Sequence, residues 1–154
     1  MPLKSAGLLL YRLTDKIPEV FLVHPGGPLW KNKDAGAWSI PKGEFTDGED
    51  ALEAAKREFE EETGMTVHGA FIPLMPVRQK SGKMVHAWAV EQDIPAGSLQ
   101  SNLFEMEWPP RSGKKQRFPE VDKGEWMTIT GAREKINPGQ TGLLDELARK
   151  LGIE

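Results

Sequence analysis

A chain of 154 residues is the size of one ordinary domain and can bury a core without disulfide staples. Its 38% apolar and 28% charged residues balance as in a globular protein, and a formal charge of −3 argues against a generally basic nucleic-acid binder. No cysteine is present, which removes disulfides and thiolate metal sites and suits a reducing, cytoplasmic setting.

Ser5 to Leu13 and Glu19 to His24 read as strands rich in Leu, Val and Phe, with a turn over Asp15 to Pro18. The apolar run Ala6 to Tyr11 is too short to cross a membrane and carries no cleavage pattern, so no membrane association is expected. His24 to Pro28 must be a loop, given its two prolines and two glycines. Ala37 to Ile40 predicts a short strand stopped by Pro41. A helix is predicted from about Gly48 to Thr63, with Thr46/Glu49 and Asp47/Asp50 as capping pairs and Gly64 as terminator. Leu52, Ala55 and Phe59 form its buried stripe. Thr66 to Leu74, Lys83 to Glu91 and Leu103 to Trp108 read as further strands, Pro109 to Lys123 as a long loop and Glu125 to Ile129 as a strand. A second helix spans Thr141 to Leu151, with Leu143, Leu144, Leu147 and Leu151 at helical spacing. The pattern is α/β or α+β, with a curved sheet between helices, and one domain over 1–154 is expected.

The most informative stretch is Lys56-Arg57-Glu58-Phe59-Glu60-Glu61-Glu62. On a helix Glu58, Glu61 and Glu62 stand at i, i+3 and i+4, within an arc of roughly 100°. Each like-charge pair there costs about 0.2–0.5 kcal/mol. They also sit in the last turns, where the helix dipole is already negative. Conflict of this kind gathers at functional sites. A hard divalent cation, Mg2+ or Mn2+, would relieve it and would also take phosphate oxygens. Ala51 and Ala54, earlier on the same arc, leave room above such a cation. The bland alternative is a solvated acidic face partly neutralised by Lys56 and Arg57.

Read as a whole, Gly43, five residues, Glu49, seven residues, then Arg57-Glu58-Phe59-Glu60-Glu61-Glu62-Thr63-Gly64-Met65 resembles the complete Nudix box, G-x5-E-x7-R-E-U-x-E-E-x-G-U with U bulky and aliphatic. Phe59 is aromatic where the family usually has an aliphatic residue. Trp38 to Gly43 also resembles the strand that leads into the box.

The resemblance implies an α/β/α sandwich and Mg2+- or Mn2+-dependent hydrolysis of a phosphoanhydride in a nucleoside diphosphate linked to another group. It assigns the metal to Glu58, Glu61 and Glu62, with the backbone carbonyl of Lys42 as an additional ligand. It gives Arg57 the bracing of these acids, and Gly43, Glu49 and Gly64 the support of the box. The proton acceptor comes from the box or from a later loop, where Glu120 is a candidate and Glu125 an alternative. Lys114, Lys115 and Arg117, with Arg111, form a basic cluster that could reach substrate phosphates or simply be solvated. The three histidines share no ligand spacing.

The expected partner is a small nucleotide, with no nucleic acid; the oligomeric state is open. A nucleoside triphosphate or dinucleoside polyphosphate fits first, though Tyr11 is the only tyrosine to serve the adenine-stacking role known in diadenosine polyphosphate hydrolases. ADP-ribose or a nucleotide sugar is the alternative. A non-catalytic nucleotide sensor of the same fold commonly has a damaged box, whereas here all three glutamates are present.

Overall fold

The structure is a computed structural model that describes residues 3–152; residues 1–2 and 153–154, at the ends of the expected domain, lie outside it. Strand β1 (Lys4–Thr14) organises the rest. Its residues from Ser5 to Tyr11 are all buried, so both faces are covered. Alternation then sends successive residues to opposite faces. Ala6, Leu8 and Leu10 face one core, and Leu9 and Tyr11 the other.

β1 pairs antiparallel with β2 (Ile17–Pro25) across the tight turn at Asp15 and Lys16, both at positive φ. Along its other edge it runs parallel to β6 (Met84–Glu91). β9 (Val121–Thr128) extends the sheet beyond β2, and the two-residue strands β4 (Ile72–Pro73) and β5 (Val77–Arg78) lie against β6. The order is β4-β6-β1-β2-β9, a mixed sheet of seven strands when β3 (Lys42–Glu44) and β5 are counted.

Helix α1 (Ala51–Thr63) covers one face through Ala54, Ala55 and Phe59. Helices α2 (Ile129–Lys135) and α3 (Thr141–Lys150) cover the other through Ile129, Ala132, Leu143, Leu144 and Leu147. The expected sandwich of helices around a mixed sheet is therefore what forms.

Several local expectations are corrected. Ala37 to Ile40 makes only isolated bridges, Val23 with Ser39 and Trp38 with Ile136, and the strand forms just after Pro41 as β3. Within Thr66 to Leu74 only Ile72–Pro73 forms a strand. Pro109 to Lys123 is no long loop. β7 (Leu103–Glu107) and β8 (Lys115–Pro119) form a separate antiparallel hairpin, and β9 begins at Val121. Helix α2 had no forecast; Thr128 caps it by accepting from the Gly131 N–H at 3.1 Å.

Candidate active site

The site grows from the junction of β3 and α1. β3 pairs with the start of β1, setting Ser5 opposite Glu44, Ala6 opposite Gly43 and Gly7 opposite Lys42. Helix α1 begins at Ala51, later than expected, because Asp50 is the N-cap and accepts from the Glu53 N–H at 3.0 Å. The Thr46/Glu49 pair forms a turn ahead of the helix instead, with the Thr46 N–H reaching Glu49 Oε1 at 3.3 Å. Gly64 ends the helix at φ 76°, in the left-handed region that glycine adopts without a Cβ penalty. Phe59, fully buried, anchors the middle turn.

With Phe59 inside, Glu58, Glu61 and Glu62 fall on the flank facing β3. Arg57 binds the cluster together: its guanidinium meets Glu49 at 2.5 Å, Glu58 at 3.1 Å and Glu61 at 3.8 Å. Glu49 thus joins the entry loop to the helix. Glu62 points inward and accepts from the Lys42 backbone N–H at 3.2 Å. Gly43 is required by contact, since a Cβ there would overlap the Glu58 carboxyl.

Lys42, Gly43, Glu58, Glu61 and Glu62 line a cavity of about 420 Å3 together with Ser5, Lys83 and Glu120. Burial, then the charge of Glu61, pushes the Glu58 carboxyl above its ordinary range against the pull of Arg57. Burial pushes Glu62 up to about 8. Glu120, at the junction of β8 and β9, is raised by burial and by Glu61. Lys42 is lowered, first by burial and then by Lys83. Three acids whose charged forms are disfavoured in one cavity mark a place where positive charge would be welcome.

The donor set agrees. All the acids offer oxygen, which selects hard ions. Ser5 Oγ, in the same lining and fully buried, has no hydrogen-bond partner among the described residues. As placed, however, no three His, Cys, Asp or Glu side chains among the described residues converge tightly enough to share one ion. Glu58 is turned to Arg57 and Glu62 to Lys42, so the fit to a cation rests on chemistry and charge.

A second cavity of about 290 Å3 shares Lys42, Glu62 and Glu120 with the first. Beyond that common wall its character changes, to Val23, Ile40, Trp30, Gln79, Asn137 and Gln140. None of these six was singled out from sequence as a site residue.

The basic cluster lies elsewhere. Lys114, Lys115 and Arg117 are exposed on or beside β8 and line neither cavity. Arg117 stands across from Glu105 and Lys115 from Glu107, so the hairpin supplies its own opposite charges. Glu125, exposed on β9, lines neither cavity either.

The family pattern described as a NUDIX domain matches residues 1–147. The chain belongs to the Nudix hydrolase family. The Nudix box occupies β3, the entry loop and α1, which is the wall of the acidic cavity. Solved structures of similar shape include an Ap4A hydrolase binary complex from C. elegans, at 24% identity over 97% of this chain and 98% of that one, TM-score 0.66. The NUDIX domain of Shewanella oneidensis NrtR, complexed with ADP ribose, shares 16% identity over 97% of this chain and 88% of that one, TM-score 0.64. A mutT/nudix family protein from Listeria innocua shares 19% over 99% and 96%, TM-score 0.64. Among curated proteins, an octanoyltransferase of Myxococcus xanthus is 31% identical over 101 residues, which is 66% of this chain. This chain spans a quarter of that protein's length, 25%. No helix among the described residues is long and apolar enough to cross a membrane.

Proposed function

We propose that this Nudix protein hydrolyses a phosphoanhydride bond in a nucleoside diphosphate linked to a further group, a nucleoside triphosphate or dinucleoside polyphosphate first among them. The observation that carries this is the two-part cleft. An acidic cavity, suited to cations and phosphates, opens across Lys42, Glu62 and Glu120 into a cavity of apolar walls and side-chain amides. Phosphates and a nucleoside need that pair of environments side by side.

Glu58, Glu61 and Glu62, with the Lys42 carbonyl, are the residues that would hold Mg2+ or Mn2+. Bound there, the ions would neutralise the phosphates and acidify the attacking water. Arg57 keeps Glu58 and Glu61 on one flank through its ion pairs. Glu120, whose carboxyl is raised by burial and by Glu61, is the residue that would accept the water's proton. The water oxygen attacks one phosphorus in line as the bridging P–O bond opposite it breaks. Lys42, on the wall between the cavities, faces the phosphate chain. Lys114, Lys115 and Arg117 add a diffuse positive field and no direct contact.

The ADP-ribose or nucleotide-sugar reading has support from the neighbour bound to ADP ribose. A panel of nucleoside triphosphates, dinucleoside polyphosphates, ADP-ribose and nucleotide sugars with Mg2+ decides between them. Product identification in isotopically labelled water then names the attacked phosphorus. Binding across the panel without turnover would overturn the hydrolase reading in favour of a sensor.

A further inference from the structure

The second cavity contains a hydrogen-bond chain whose direction is fixed at its buried end. Gln140 is fully buried. Its Oε1 accepts from the Ile40 backbone N–H at 3.1 Å. An N–H can only donate, so the other end of that amide must be the amino group. Both of its hydrogens are taken, one by Ser39 Oγ at 3.0 Å and one by Gln79 Oε1 at 2.8 Å. Gln79 therefore turns its oxygen to Gln140 and keeps its own amino group for the cavity. Among the described residues that amino group meets no protein acceptor and is not buried away from contact.

Asn137 is oriented in the same sense. Its Oδ1 accepts from the Gly139 N–H at 2.9 Å, leaving its amino group unpaired among the described residues. Gly139 also lets this turn lie against β5, because a Cβ there would press on the Gln79 backbone. Ser39 adds no donor to the cavity, since its hydroxyl points to the Ile40 carbonyl at 2.7 Å. The free side-chain groups of Gln79 and Asn137 are thus two donors, in one lining with the apolar Val23 and Ile40 and the half-exposed Trp30.

Two donors in one lining suit a purine with acceptors at O6 and N7. Adenine offers N7 but sets an amino donor where O6 would be. We propose that the second cavity selects a 6-oxopurine base, guanine or hypoxanthine, over adenine, through the amino groups of Gln79 and Asn137. The inference rests on the reading of the chain as a nucleotide hydrolase. Gln140 acts as a positioning residue, since it reaches the base only through Gln79.

Calorimetric titration of the full chain with GMP, IMP and AMP in Mg2+ tests this without turnover, because a monophosphate has no phosphoanhydride bond. GMP and IMP should bind alike, and each about tenfold or more tighter than AMP. Gln79→Glu keeps the acceptor that Gln140 needs and removes the amino group. It should weaken GMP, strengthen AMP and reverse the ratio. Asn137→Asp should narrow it in the same direction. In kcat/KM, GTP should lead ATP by a similar factor. Equal or tighter binding of AMP, or no binding of any of the three, overturns the assignment. Preferential binding of GMP and IMP with no turnover of any compound in the nucleotide panel would sink the hydrolase reading and leave the base pocket standing.

Discussion

Glu62 gives the sharpest test of the acidic cavity, because its carboxyl is raised from an ordinary 4.5 to about 8, chiefly by burial. Below the unfolded value both states carry the proton and the residue has no effect on stability. Between 4.5 and about 8 the unfolded chain releases a proton that the folded chain keeps, so stability falls as pH rises. Above about 8 the loss is complete. A gap of about 3.5 units at 1.36 kcal/mol each sets a ceiling near 5 kcal/mol. Glu62 borders both cavities, and relaxation with water entry brings the working figure to about 2–3 kcal/mol. The Glu62→Gln side chain has no proton to release, yet its oxygen can still accept from the Lys42 N–H. In chelator, this variant should therefore match the wild type within about 1 kcal/mol at pH 5 and exceed it by about 2–3 kcal/mol at pH 8.5. Urea unfolding followed by tryptophan fluorescence at both pH values reads the difference. Saturating Mg2+ at pH 8.5 should reverse the order, since only the wild type gains fully from a bound cation. A difference that does not change with pH, or a variant less stable than wild type at pH 8.5, refutes the reasoning.

Activity should vanish in excess chelator and return with Mg2+ or Mn2+; full turnover in chelator would remove the cation from the mechanism. Gly43→Ala should lower kcat by about a hundredfold or more, because its methyl group displaces the Glu58 carboxyl, and steady-state kinetics at saturating substrate would show it. Phe59→Ala should cost about 3–5 kcal/mol in denaturant unfolding, since the ring is fully buried between α1 and the sheet. Neutralising Lys114, Lys115 and Arg117 together should change KM by no more than about threefold at low salt and not at all at high salt, as expected of screened charges outside both linings.

What could be read in advance was whatever a single local period encodes. Helix α1 announced itself through three acids on one arc and Gly64 behind them, and α3 through its leucines. β8 did not, because Lys115, Gln116 and Arg117 have no apolar alternation and become a strand only beside β7. α2 was hidden by its length of seven residues and by Ile129, Thr130 and Gly131, all weak helix formers, at its start. The capping pairs were placed one turn early, because Thr46/Glu49 satisfies the same geometry as a free-standing turn. The second cavity was illegible for a different reason. Gln79 and Gln140 are 61 residues apart, and only the finished fold places the two amides end to end.

The two cavities are built by different means, and that has a consequence for descent. The acids of the first come mostly from one helix, locked to the entry loop by Arg57 and to β3 by Gly43 and the Lys42 N–H, so a change in any one disturbs the others. The second takes its walls from separate connecting segments around Trp30, Ser39, Gln79 and Asn137. Changes in those segments leave the helix intact. A lineage carrying this architecture can therefore drift from one nucleoside to another by single steps in its loops, with the hydrolytic apparatus retained throughout.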